Sequence, residues 1–166
     1  LMQLVGFVNG RELFGVDILM VQEISRGAPI TSVPNAPDFV EGVTNLRGNI
    51  IPVIDLRKRL NLSIERLGSG KNWILILDIG GRITGFIVDA VTEVLKVDRD
   101  AIEPPPDIVV AGLESQYLQG VCDIGDRLLI LLDFNRILRV EEIRRLRNVS
   151  PGGSETDSAT FTAVSH

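Results

Sequence analysis

The chain has 166 residues, 45% of them hydrophobic, with 17 basic against 22 acidic side chains and a formal net charge of −5. That length suits one ordinary domain or two small ones, and the acidic balance excludes a nucleic-acid footprint, which needs a basic patch and usually stacking aromatics. One cysteine, Cys122, excludes an intramolecular disulfide and fits a reducing compartment; no run reaches the ~18 apolar residues that span a bilayer, and no signal peptide is visible, so the expectation is a soluble cytoplasmic protein without membrane insertion.

Leu4 to Asn9 reads as a strand, and Asn9-Gly10 as a hairpin turn returning through Glu12 to Val16. If Ile18 to Ile24 is extended, Val21 and Glu23 face one way, Gln22 and Ile24 the other. Ile30 to Val33 predicts a short strand ended by Pro34; Pro37 to Gly42 predicts a short helix. The loop Asn45-Leu46-Arg47-Gly48 carries one charge and leads into Ile50 to Ile54, an apolar run expected to be a buried strand. Pro52 cannot donate to a ladder, which predicts a sheet edge or a bulge. Asp55 can cap a helix over Leu56 to Leu62, and Arg57, Lys58 and Arg59 read as its solvated face.

Ser63 to Lys71 is the best candidate for a connection between halves. Asn72 to Asp78 is a strand, Gly80-Gly81 a hairpin turn, Ile83 to Val88 its partner, and Ala90 to Val97 follows. Pro104-Pro105-Pro106 predicts a rigid extended segment. Tyr117 to Cys122 leads through a Gly125-Asp126 turn into a buried strand, Leu128 to Leu132, ended by Asp133. From Phe134 to Val149 the three-residue recurrence of Ile137, Val140, Ile143 and Leu146 predicts a helix, with Arg144, Arg145 and Arg147 solvated. The polar stretch 150–166 predicts a disordered tail.

The chain repeats itself. Gly42 to Leu56 matches Gly120 to Phe134 without a gap at an offset of 78, and Gly15 to Ile24 matches Gly85 to Val94 at an offset of 70. The expectation is a mainly β fold, all-β apart from short helices and a C-terminal helix. Two small five-stranded barrels pack together, because curling removes exposed edges. They would form a domain over 1–149, with approximate halves 1–68 and 69–139. The copies differ at one loop: Arg47-Gly48 in the first faces Gly125-Asp126 in the second, and Pro52 faces Ile130. A role shared by both copies does not require Arg47, which marks it for function.

Catalytic chemistry finds little support. The one histidine, His166, is the last residue, which removes the usual general base and most zinc sites. Cys122 aligns with Thr44 and reads as a small core residue. Asp55 and Asp133 read as equivalent helix caps, Asp17 and Asp89 as turn residues. No phosphate loop is present. The positive inference is a binding protein, not an enzyme, with no cofactor.

Gly15-Val16-Asp17-Ile18 through Val21-Gln22-Glu23-Ile24, then Pro34-Asn35-Ala36-Pro37, Gly42 to Gly48 and Pro52 to Arg57 together resemble the CheW family of bacterial chemotaxis coupling proteins. Gly85 to Asp89, Val91 to Leu95 and Gly125 to Leu132 fit the same pattern, so the resemblance covers roughly Leu4 to Leu146. It implies two five-stranded SH3-like barrels and a non-enzymatic adaptor in signal transduction. The implied partners are the regulatory domain of a CheA-type histidine kinase and the cytoplasmic tip of a methyl-accepting chemoreceptor. The implied place is the cytoplasm, at membrane-associated receptor arrays. Carried over by position, the partner-binding residues are Val21, Glu23, Gly42, Asn45, Leu46, Arg47, Gly48, Gly85 and Val94. Two alternatives stand beside this reading: a regulatory domain cut from a longer histidine kinase, and a small-ligand-binding double barrel.

Overall fold

The computed structural model describes residues 1–60, 73–105 and 115–138. Its strands are β1 Met2–Asn9, β2 Glu12–Asp17, β3 Val21–Arg26, β4 Val40–Leu46, β5 Asn49–Asp55, β6 Trp73–Ile79, β7 Arg82–Val88, β8 Ala90–Val97, β9 Leu118–Asp123 and β10 Leu128–Leu132. Two short helices, α1 Leu56–Arg59 and α2 Phe134–Ile137, follow β5 and β10. The tail, the chain beyond Leu138, Ser63 to Lys71 and Pro106 lie outside the described residues.

The strands form two five-stranded sheets. Sheet A runs β8-β1-β2-β10-β9, and sheet B runs β3-β6-β7-β5-β4. Neither sheet is one half of the chain, so the expected division into 1–68 and 69–139 is corrected. The first copy's β1–β2 hairpin sits among β8, β9 and β10; the second copy's β6–β7 hairpin sits among β3, β4 and β5. The exchange is made by two parallel pairings, β2 with β10 and β5 with β7. Parallel neighbours need a long crossover, and such a partner has no local signature.

The repeat is real at the level of register. Val53 pairs with Gly85, and their counterparts Leu131 and Gly15 pair likewise. Val21 pairs with Leu77, as Val91 does with Phe7. The irregularity after Val40 in β4 recurs after Leu118 in β9. Each sheet is closed by an isolated bridge between its edges: Thr31 to Val43 in sheet B, Glu103 to Val121 in sheet A.

At these closures two expectations change. Ile30 to Val33 forms only the Thr31 bridge, and 37–42 holds a turn, with Val40 N–H donating to the Pro37 carbonyl at 2.9 Å, in place of a helix. Pro52 is not on an edge, since β5 lies between β7 and β4. Val43 spends its N–H and its carbonyl on Thr31, at 2.8 Å each. The Val43–Pro52 pair is therefore a non-hydrogen-bonded one. Pairing with β7 begins only at Val53. Pro52 thus occupies a place where no ladder N–H is wanted.

The hairpin turns also separate. Asn9 pairs with Glu12, so the first loop is Gly10-Arg11, with Gly10 at φ 62. Asn9 is buried and its Oδ1 accepts the Asp89 N–H at 3.1 Å. Gly80 and Gly81 form the other loop as expected, both at positive φ.

Alternation along the strands sends side chains to two sides. One side fills each sheet's own interior, for example Leu4, Leu13 and Leu129 in sheet A and Ile51, Val53 and Ile74 in sheet B. The other fills a central core between the sheets. There Phe134 of α2 packs against Phe86 of sheet B (ring centroids 5.0 Å apart) and Phe7 of sheet A (6.5 Å), while Phe7 stacks on Phe14 (5.5 Å). Rings at such separations add about 0.5–1.5 kcal/mol a pair beyond burial.

Cys122 lies in the sheet A interior. Burial, helped by the charges of Asp123 and Glu103, pushes its thiol pKa up. An acid whose pKa is higher folded than unfolded loses stability as pH rises past the unfolded value, ~8.5. At mildly alkaline pH the native thiol is expected to react with an aromatic disulfide reagent at least ~100-fold more slowly than in concentrated urea. Equal rates would place it outside the core.

Candidate partner-binding site at the Arg47 hairpin

Leu46 and Asn49 close the β4–β5 hairpin, leaving Arg47-Gly48 as its loop. Both are left-handed, at φ 53 and φ 85, as primed hairpin turns require. Gly48 N–H donates to Asn45 Oδ1 at 2.9 Å and sets the turn. In the other copy Gly125, at φ 109, takes the position of Arg47. A non-glycine residue costs about 1–2 kcal/mol there, so the fold alone would favour glycine at position 47.

The Arg47 side chain is 79% exposed and its Nη2 donates to Glu23 Oε1 at 3.2 Å. So exposed a pair contributes at most about 1 kcal/mol. Glu23 Oε2 is buried with no hydrogen-bond partner among the described residues. Stability therefore explains neither the backbone strain nor the half-satisfied carboxylate. A cation held out on a rigid turn suits polar recognition of a partner.

Of the residues expected at a partner surface, the structure brings Glu23, Asn45, Arg47 and Gly48 together at this end of sheet B. Leu46 packs on the sheet B interior, and Val21 on the central core. Val94 is half exposed on β8, an edge of the other sheet. Gly42 and Gly85 are buried and offer a partner no surface. A Cβ on Gly42 would fall on the Thr31 carbonyl; one on Gly85 would lie 2.9 Å from Ile74 Cγ2. Both glycines serve packing.

Sequence reasoning singled out Val94 but missed three further exposed apolar strand side chains, Ile24, Ile50 and Leu128. The four form two counterpart pairs, Ile24 with Val94 at offset 70 and Ile50 with Leu128 at offset 78. The repeat contained that signal, since each pair aligns apolar with apolar at a strand position facing outward.

The basic run behind the hairpin is not the solvated face expected of it. Arg57 Nε and Nη2 donate to Asp55 at 3.2 and 3.1 Å, and Nη1 to Asp89 at 3.0 Å. The three side chains are 11%, 4% and 11% exposed. Burial opposes the Arg57 charge, but hydrogen bonds and attraction from Asp55 and Asp89 outweigh it and hold its pKa above the ordinary value. Lys58 reaches Glu41 at 2.8 Å. Arg59 lies over the Phe39 and Tyr117 rings and donates to the Tyr117 hydroxyl at 2.7 Å and the Ile137 carbonyl at 3.1 Å. Asp55 does cap α1, accepting the Arg57 N–H at 3.0 Å, and Asp133 caps α2. Asp89 also accepts the Gly10 N–H at 2.7 Å, which ties the sheet A hairpin to the triad.

The family model of the CheW-like domain matches residues 3–142. The chain belongs to the CheW family. It is similar to the chemotaxis protein CheW of Klebsiella aerogenes, 41% identical over 87% of this chain and 86% of that one. The Treponema pallidum chemotaxis protein CheW is 37% identical over 89% and 88%. Among solved structures, the scaffolding protein TtCheW of Thermoanaerobacter tengcongensis matches with a TM-score of 0.77 and 38% identity, covering 85% of this chain and 94% of that one. The two-sheet, mainly β architecture is thus that of a CheW scaffold. Among the described residues no helix is long and apolar enough to cross a membrane, and no cluster of three His, Cys, Asp or Glu side chains could hold a metal.

Proposed function

We propose that this protein is a non-enzymatic adaptor of bacterial chemotaxis, coupling the cytoplasmic tip of a chemoreceptor to the regulatory domain of a CheA-type histidine kinase at membrane-associated arrays. The observation that carries the reading is the family match over residues 3–142, on a fold shared with a chemotaxis scaffold. The strained, exposed Arg47 with Glu23 supplies its chemistry. Apolar contact from Val94 and its counterpart Ile24 would carry affinity, and the Arg47–Glu23 rim would fix register, since rim charges contribute specificity more than affinity.

The test is binding by calorimetry to the kinase regulatory domain and to a receptor cytoplasmic fragment from the same genome. Wild type should bind at least one. Arg47→Gly relieves the backbone strain, so its unfolding free energy should stay within about 1 kcal/mol of wild type or rise. Its affinity for a partner should fall at least about tenfold. Unchanged affinity for both partners would remove Arg47 from the interface; no binding by wild type would remove the adaptor reading.

A further inference from the structure

At one end of sheet A the chain lines a cavity of about 210 Å³, open to solvent at Asn135. It is far roomier than the ~15 Å³ that admits one water. Much of its lining repeats the sequence that carries Arg57 in the first copy. Residues 131–135 answer 53–57, Gly15 answers Gly85, and Gln119 answers Glu41. In the first copy the Arg57 guanidinium is clamped between Asp55 and Asp89. In the second, Asn135 stands where Arg57 stands, and its shorter side chain leaves the space open.

The carboxylates remain. Asp133 is the counterpart of Asp55, and Asp17 leaves β2 two places before the counterpart of Asp89. Both line the cavity. Each spends Oδ1 on a backbone N–H: Asp17 on Leu19 at 3.0 Å, Asp133 on Arg136 at 3.2 Å. Asp133 Oδ2 also lies 3.5 Å from Arg136 Nε, a long contact from a side chain 56% exposed that is not part of the cavity wall. The first copy keeps the matching helix residue, Lys58, away on Glu41; Gln119 has no charge with which to hold Arg136 there.

We propose that this cavity is a binding site for a guanidinium group, the arginine side chain of a partner protein. The chain itself shows the occupied form, with Arg57 as the occupant. A planar fork of donors meets two carboxylates better than a compact ammonium does. The assignment does not depend on which kinase or receptor the protein serves.

The experiment is a titration of the full ¹⁵N-labelled chain with N-acetyl-arginine amide, N-acetyl-lysine amide and N-acetyl-citrulline amide at low ionic strength. Saturable shifts should appear at the amides of Asp17, Asp133 and Asn135 with the arginine probe. They should need at least about fivefold more of the lysine probe and be absent with neutral citrulline. Asn135→Arg should refill the seat, raise the thermal midpoint and abolish the arginine response. Should that variant not fold, Asp17→Asn with Asp133→Asn must abolish it, asparagine retaining both caps. No saturable shift, equal response to lysine and arginine, or a response that survives the aspartate changes would overturn the assignment.

Discussion

Arg57→Met is expected to lower the unfolding free energy by about 3–5 kcal/mol, the loss seen when one partner is removed from a buried ion pair. At 2–4 °C per kcal/mol, that is a fall of roughly 6–20 °C in the thermal midpoint. Methionine replaces much of the aliphatic volume, so the loss is not a cavity effect. It arises because Asp55 and Asp89 would face each other in a largely buried corner with no cation between them. The damage spreads, because Asp89 also accepts the Gly10 N–H and donates its own N–H to Asn9. Arg57→Lys should recover less than half, since an ammonium cannot make the two parallel bonds to Asp55 while reaching Asp89. Urea denaturation of the three proteins checks this. A loss under about 1 kcal/mol for the methionine variant would show that the corner admits enough water to solvate both carboxylates.

Gly42→Ala is expected to cost about 3 kcal/mol or more, combining overpacking with backbone strain. A Cβ there would land on the Thr31 carbonyl oxygen, with the Thr31 carbonyl carbon at 2.6 Å and Ile30 Cγ2 at 3.1 Å. The obstacle is backbone, and that backbone is held by both Thr31–Val43 hydrogen bonds, so it cannot yield without opening the closure of sheet B. Gly42 also sits at φ 150, where an L side chain is strained. Gly120 closes sheet A in the same manner, against Ile102 Cγ2 at 2.6 Å and the Glu103 carbonyl at 2.9 Å. It lacks the positive φ, and its nearest obstacle is a methyl group that can turn aside. Gly120→Ala should therefore cost clearly less than Gly42→Ala in the same denaturation experiment. Equal costs would mean that strain at Gly42 contributes nothing. A loss of partner binding in Gly42→Ala then follows from a displaced Arg47 hairpin, without Gly42 touching a partner.

Hairpins, caps and the repeat were legible in the sequence because each rests on neighbours a few residues apart. Gly80-Gly81, Asp55 and Asp133 announced themselves by type and place. What was not legible depends on partners distant in the chain. Pro52 looked like an edge residue because nothing local reveals that Thr31 takes the hydrogen bonds of Val43. Arg57 looked solvated because Asp89, 32 residues away, cannot be seen beside it. The division into halves failed for the same reason, at the two parallel pairings. Within the candidate site, Arg47 was legible by contrast with Gly125. Gly42 and Gly85 entered with the family pattern, and the structure assigns them to packing.

The exchange of hairpins between the two copies sets the order in which this chain can be built. Sheet A needs β1 and β2 from the start of the sequence and β10 near residue 130, so its central β2–β10 pairing closes a loop of more than 110 residues. Sheet B, completed by β5–β7, closes over a far shorter span. Long-range pairing is slow because loop entropy is lost before contacts are gained. On the ribosome, sheet B can be complete while β1 and β2 still wait for their neighbours. Its finished outer surface, rich in central-core side chains such as Leu75, Leu77 and Phe86, would then serve as the template on which sheet A is assembled.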